Sequence, residues 1–458
     1  KGNIVSCDEA AEEEAMGNQP SSSLTSSAGK KDTTQEERVS ASSAEEPLKL
    51  HSEPADSQEP KHRHEEGETA TEEQEHQQCP TPKHLAVRLN HLKTPSFSGL
   101  EETFKPYVRL QESSSCLYEV IRTGIVLVTL FPLRVAMLLV HIFLFLMIAS
   151  MATFGLRKDD KAPFQPISIP RAMLMMMFKP LARSLLFWVF GIYQIKRTKV
   201  TWEELPKIPD QDPVVTSPAR RPYVIVANHL GYVDILVLLA THGGAFVAKG
   251  AIAKTPIVGT VANALQTLYV REGQPLTQAI INRVRTTYDC HLDRGHEHHH
   301  GRGKACGSCL STLTIFPEGT TTNGAGMVKF RTGVFAAGRP VLPVAVRFPY
   351  THFNPSWETI RFGTHIFRML TQVWNRAEVA ELPFYHPSAR ERADARRYAE
   401  NVQALLAAAL GQEIHALNRK QKFVYHKKVL GKFTEEEALK EARRLYEEDK
   451  LLQPLFVV

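Results

Sequence analysis

The stretch VANHLGYVDILVLL, Val226 to Leu239, sets His229 and Asp234 between two apolar runs. The pattern predicts a strand ending at Ala227 and a helix starting near Gly231 or Tyr232. His229 then sits in the strand-to-helix turn and Asp234 in the first helical turn. From there a carboxylate can curl back and hold one imidazole nitrogen, which leaves the other as an acceptor poised for general-base work. This is the histidine–aspartate half of a catalytic triad. The same residues also admit a structural use, with Asn228 as an N-cap, Asp234 complementing the helix dipole and His229 an ordinary turn residue. The sequence has no G-x-S-x-G elbow and no cysteine close to His229. If His229 is a base, the nucleophile is the hydroxyl of a substrate.

A second polar turn follows a buried run in FPEGTTTNG, Phe316 to Gly324. Gly319 permits close backbone approach to a ligand. Glu318 can accept hydrogen bonds from hydroxyls, and the threonines, Thr320 first, can donate to phosphate. A plain polar turn closed by Asn-Gly would look the same.

The elements that must position these residues read as α/β from about Lys199 onward. YVIVA, GAFVAK, TLYV, STLTIF and RPVLPVAVRF are short strand patterns, and DILVLLA and LTQAIINRVRTTY are helical ones. This alternation predicts an open, mixed, mostly parallel sheet flanked by helices. Ligands of such sheets bind at the carboxyl ends of the strands, where both turns fall.

Ahead of the sheet lies a long apolar segment, Thr123 to Leu156, with enough apolar residues to span about 30 Å of hydrocarbon. It contains Arg134 and His141, which are costly in lipid, and Pro132, which should kink it. A straight span, a bent hairpin in one leaflet and a buried core helix all remain open. Arg171 to Lys196 is amphipathic, with basic and aromatic residues suited to headgroups or to packing on the domain. The organisation expected is a disordered acidic tail over 1–95, membrane-associated helices over 96–198, a catalytic-type domain over 199–386 and charged helices over 387–458. TEEEALKEARRLYEEDK, with opposite charges four apart, reads as a solvated helix.

The chain has 458 residues and a net charge of +6, unevenly spread. Residues 1–80 hold 19 acidic and 7 basic residues, a net of −12, which leaves +18 on the other 378. A basic body suits a phosphate-bearing partner. The tail lacks the apolar core of a signal peptide, and the chain does not start with Met, as a fragment or processed form would not. Six scattered cysteines imply no disulfide framework. The polar stretch Cys290 to Cys309 reads as a flexible insertion at 290–309. Its HEHHH matches H-E-x-x-H, but the flanking glycines argue against the helix a zinc protease needs, and a structural zinc at CGSC is the lesser alternative to a mobile loop. No metal ligand is assigned.

NHLGYVD resembles the N-H-x-x-x-x-D signature of the glycerolipid acyltransferases, and FPEGTTTNG resembles their F-P-E-G-T block. Between them LYVREG, Leu268 to Gly273, is similar to the block that supplies a basic residue, here Arg271. VLPVAV, Val341 to Val346, is similar to the proline-containing fourth block. TLFPLR, GAIAKTPIVG and RFPYTHFNPSW look like the lysophosphatidylcholine and lysophosphatidylethanolamine acyltransferase branch, and the resemblance covers roughly residues 120–430. It implies that His229 deprotonates a lysophospholipid hydroxyl, that Asp234 orients His229, and that the hydroxyl attacks acyl-CoA without a covalent acyl-enzyme. It assigns Arg271, Glu318, Gly319 and Thr320 to acceptor binding and Pro343 to the acyl-donor side. It implies no cofactor beyond acyl-CoA as co-substrate, membrane lipid as partner, no nucleic acid, and an endoplasmic reticulum membrane. Acylation of lysophosphatidate or glycerol-3-phosphate, and an inactive membrane-anchored binding protein, are the alternatives. No EF-hand loop is present, in contrast to some members of the branch, no dilysine or KDEL-type signal ends the sequence, and the insertion is longer than the family leads one to expect.

Overall fold

A computed structural model describes residues 95–110, 116–155, 169–208, 224–270, 278–286 and 311–452. The acidic tail up to residue 94, Arg271 and the insertion from Cys290 to Cys309 lie outside the described residues.

The strands are β1 (Ile195–Lys199), β2 (Val224–Ala227), β3 (Ala245–Lys249), β4 (Leu268–Val270), β5 (Leu313–Ile315), β6 (Gly326–Val328), β7 (Leu342–Arg347), β8 (Ala377–Glu381) and β9 (Glu413–His415). The helices of five residues or more are α1 (Cys116–Val128), α2 (Leu130–Thr153), α3 (Ile169–Met176), α4 (Phe178–Trp188), α5 (Tyr232–Thr241), α6 (Pro256–Ala264), α7 (278–286), α8 (Phe362–Leu370), α9 (Ala389–Ala393), α10 (Ala395–Leu410), α11 (Arg419–Val429) and α12 (Glu435–Leu452).

Seven strands form one sheet in the order β1-β8-β7-β2-β5-β3-β4. All neighbours run parallel except β7 and β8, so the sheet is mixed and mostly parallel, as its sequence predicts. Strands β1, β6, β8 and β9 are departures: IKRTK and AEVAE carry too little apolar signal to stand out as strands, and β6 and β9 are only three residues long. Alternate side chains of β2 serve opposite faces. Ile225 and Ala227 join a core with α2, α4, α5 and α8, whereas Val224 and Val226 join a core with α7 and α10. A third core unites Leu100, Phe104 and Tyr107 with Val328, Leu417, Val424, Tyr425, Ala438 and Ala442. The apolar stripe Ala438–Ala442 therefore seats α12 on the protein, and only its charged remainder is solvated.

The apolar N-terminal segment divides at Thr129, three residues before Pro132. A proline in the first turn of α2 has no N–H to give back to the preceding turn, so the break precedes it. Helix α2 is long and apolar enough to cross a membrane. Its two ionisable residues face protein. Arg134 is buried and donates from Nη1 to the carbonyl of Leu370 at 2.7 Å and to that of Gln372, and from Nη2 to Val373 O at 2.9 Å. Leu370 is the last residue of α8, where a carbonyl has no intrahelical partner, and Gln372 and Val373 follow the C-cap Thr371. His141 donates from Nδ1 to Met137 O at 2.7 Å, so its Nε2 accepts from Ser184 of α4 at 3.0 Å. On the other side Leu133, Leu139, Val140, Phe143, Met147 and Met151 are exposed.

Arg134→Leu should strand the carbonyls of Leu370 and Gln372, at about 1–3 kcal/mol for each unsatisfied buried group, while Val373 O keeps the Tyr193 hydroxyl at 3.2 Å. The expected outcome is a large fall in the thermal midpoint of detergent-solubilised protein, with Arg134→Lys intermediate. An unchanged midpoint for Arg134→Leu would contradict the bridging role.

Candidate active site

β2 and β5 are parallel neighbours, with Val224 opposite Leu313 and Val226 opposite Ile315. Carried three residues beyond the last pair, that register sets residue 229 level with residue 318. The two turns the sequence singles out are thereby adjacent, and the backbone N–H of His229 donates to Glu318 Oε1 at 2.8 Å.

The turn from β2 is tied down on every side. Asn228 is not an N-cap. Its side chain exchanges two hydrogen bonds with the backbone of Val346 on β7, at 2.9 and 2.8 Å, and so continues the sheet by one false rung. The N-cap is Gly231, and Asp234 is the third residue of α5. Trp357 lies against Gly231, where a Cβ would stand 3.1 Å from the tryptophan Cβ, so a side chain there would force the segments apart. The amide of Trp357 also donates to Leu230 O at 2.7 Å.

Asp234 is fully buried. Its Oδ2 accepts from His229 Nδ1 at 3.0 Å, from Leu230 N at 2.5 Å and from Gly231 N at 2.9 Å. Burying a carboxylate costs several kcal/mol. Hydrogen bonds to a charged group return roughly 1.5–3 kcal/mol each, so three of them offset much of that cost. Because the carboxylate can only accept from Nδ1, that nitrogen carries the proton and Nε2 is the acceptor. His229 keeps 19% of its side chain exposed, and no described residue bonds its Nε2. Its ring stacks on Phe316 at 4.2 Å between centroids and 17° between planes, which fixes the ring's tilt.

Glu318 faces inward. Oε1 takes the His229 amide and Oε2 takes the amide of Val328 at 3.1 Å, which joins the turn to β6. Burial pushes its pKa up to about 8. The two amides oppose that shift, and the nearby Asp234 charge adds to it. Gly319 adopts φ +65°, a left-handed conformation, and the Arg331 side chain lies across it. Of the hydroxyls expected to meet phosphate, Thr321 donates to Trp357 O at 2.8 Å. Thr322 ties its amide to His229 O at 2.9 Å. Asn323 bridges to the carbonyls of Lys105 and Val108. Thr320 is half-buried, and among the described residues nothing bonds its hydroxyl.

Pro343 is buried in β7, in register with Val226, within the sheet. That register puts it level with the residue three before His229. β4 ends at Val270, the residue before Arg271. Among the described residues no group of His, Cys, Asp or Glu is arranged to hold a metal ion.

Three contributors were not legible in the sequence. Phe316 could pass as a last core residue of the strand. Lys422, on α11, reaches Thr321 with its Nζ, 2.6 Å from Oγ1 and 2.8 Å from the carbonyl, across a hundred residues of chain. Arg331 follows the turn in KFRTGVF, and nothing local in that segment shows that its side chain lies across Gly319.

Residues 192–347 match the Acyltransferase family. The chain is 31% identical over 369 residues to the lysophospholipid acyltransferase LPEAT1 of Arabidopsis thaliana, covering 73% of this chain and 89% of that one. It is 34% identical over 195 residues to LPEAT2 of the same plant, covering 42% of this chain and 33% of that protein. It is 29% identical over 317 residues to a lysophosphatidylcholine acyltransferase of Drosophila melanogaster, covering 67% of this chain and 52% of that one. The crystal structure of a 1-acyl-sn-glycerophosphate acyltransferase from Thermotoga maritima, 17% identical, covers 63% of this chain and 98% of its own with a TM-score of 0.36, too slight a likeness to carry weight.

Glu318→Gln removes the ionisation and leaves one amide facing an amide. Since the folded pKa is raised from 4.5 to about 8, the folded chain keeps a proton that the unfolded chain has already lost within that window. Wild-type stability relative to the variant should fall as pH rises from 4.5 to about 8 and level off outside it. Urea unfolding of both proteins across that range reads the difference; a constant gap would contradict the assignment.

Proposed function

Because the chain belongs to the acyltransferase family, we propose that it transfers a fatty acyl group from acyl-CoA to the free hydroxyl of a lysophospholipid. The supporting observation is the His229–Asp234 pair, with Nδ1 held by a buried carboxylate and Nε2 open at the carboxyl end of β2. The names of the relatives, lysophospholipid and lysophosphatidylcholine acyltransferases, favour lysophosphatidylethanolamine or lysophosphatidylcholine as acceptor.

In this reading Nε2 of His229 takes the proton of the acceptor hydroxyl as its oxygen attacks the thioester carbonyl. The thiolate of coenzyme A leaves and takes up the proton from the imidazolium. Asp234 keeps the imidazole in the required tautomer and stabilises its protonated form. No acyl-enzyme forms. Glu318 works as a brace, holding the His229 backbone and β6 at fixed spacing. Gly319, Thr320 and, by the resemblance, Arg271 serve acceptor binding. Pro343 shapes the donor side from within the sheet. No cofactor takes part. The exposed apolar residues of α1 to α3 hold the enzyme at the bilayer, where a lysophospholipid and a long acyl chain both partition. By resemblance to the lysophosphatidylcholine acyltransferase branch, that bilayer is assigned to the endoplasmic reticulum.

Membranes carrying the protein should transfer labelled acyl groups to lysophosphatidylethanolamine or lysophosphatidylcholine. His229→Ala should lose on the order of 10³-fold in rate, and Asp234→Asn about 10²–10⁴-fold, since an amide cannot enforce the tautomer. Equal transfer by wild type and His229→Ala would end this reading. A strong preference for lysophosphatidate would move the acceptor, and transfer to no acceptor would leave a binding protein.

A further inference from the structure

Arg331 brings a positive charge to the Glu-Gly-Thr turn. Gly319 has no side chain, and the Arg331 side chain occupies the space a Cβ would fill: from that position Nε lies at 2.6 Å, Cζ at 3.0 Å and Cδ at 3.2 Å. The backbone of Arg331 is pinned as well, its amide donating to Pro317 O at 2.8 Å. The guanidinium is thus delivered to the Glu-Gly-Thr turn by two separate contacts. Among the described residues no carboxylate pairs with it. Glu318, the nearest acid in sequence, is turned inward to two amides. Arg419, at the start of α11, adds a second positive charge that acts on Arg331. Beside Gly319 the Thr320 hydroxyl has no described partner, while Thr321, Thr322 and Asn323 are committed to protein.

An arginine laid across the turn without an acid, a second positive charge acting on it and an uncommitted hydroxyl form an arrangement that calls for an anion with several acceptor oxygens. The planar fork of arginine suits phosphate. We propose that Arg331, lying across Gly319 and next to the Thr320 hydroxyl, binds a phosphate group of a substrate in the acyl-transfer reaction. The inference rests on the acyltransferase reading of the site. The phosphate comes from one of two sources, the headgroup of the acceptor or coenzyme A, and the two predict different kinetics.

The test uses the full chain and its Arg331→Gln and Arg331→Lys variants, with thermal midpoints measured to confirm folding. KM is determined separately for lysophosphatidylethanolamine and acyl-CoA, and transfer to phosphate-free monoacylglycerol is followed alongside. One charge-assisted contact of about 1.5–3 kcal/mol corresponds to roughly 10–100-fold in KM. If the phosphate is the acceptor's, Arg331→Gln raises the KM for lysophosphatidylethanolamine by that factor and lowers the preference for it over monoacylglycerol. If it belongs to coenzyme A, the KM for acyl-CoA rises with either acceptor. Arg331→Lys should recover part of the loss in both cases. Both KM values within twofold of wild type for Arg331→Gln, or a fall in kcat alone, would overturn the proposal. If the wild type transfers nothing, the function reading fails by itself. Titration of wild type and Arg331→Gln with free coenzyme A and with lysophosphatidylethanolamine micelles then tests the contact, and equal affinities for both would overturn it.

Discussion

One buried oxygen organises the site. Asp234 Oδ2 receives the imidazole of His229 and the amides of Leu230 and Gly231, so a single atom orients the histidine, shapes the turn and caps α5. None of the three uses is optional once the carboxylate is out of water, because a lost donor leaves charge uncompensated in an apolar surrounding. The catalytic reading and the capping reading of the aspartate are therefore one arrangement: the same electron pairs that start the helix fix which nitrogen of His229 stays open.

The rest of the fold keeps that turn from moving. The parallel register of β2 and β5 brings Glu318 level with His229, and Glu318 in turn holds β6 through Val328. β6 pairs with β9, and α11 sends Lys422 back to Thr321. Helix α11 thus braces the Glu-Gly-Thr turn. On the opposite side, Arg134 ties α2 to the end of α8, so an apolar helix with an exposed greasy face is fixed to the sheet that carries His229.

Much of this was legible in the sequence where a local rule held. The strands around both turns, the helix at Asp234 and the mixed, mostly parallel sheet follow from apolar runs and polar breaks. The histidine–aspartate contact follows from their spacing across a strand-to-helix turn. What could not be read depends on contacts remote in sequence. Asn228 looked like a helix cap, and only the neighbouring strand β7 reveals it as an extension of the sheet. The threonines after Glu318 looked alike, yet Thr321 is taken by Trp357 and Lys422 and Thr322 by His229, all remote in sequence. Arg134 and His141 looked costly because their partners lie on α8 and α4. β8 was hidden because its residues alternate charge with small apolar groups.

The central claim is that His229 activates the acceptor hydroxyl for direct attack on the thioester, with no group of the protein carrying the acyl chain. The intact mass of the protein, taken after incubation with acyl-CoA alone and again after adding lysophospholipid, tests this most directly. The account predicts an unmodified chain in the first sample and acylated lipid only in the second. An acyl adduct that forms without acceptor and disappears when the acceptor is supplied would contradict it.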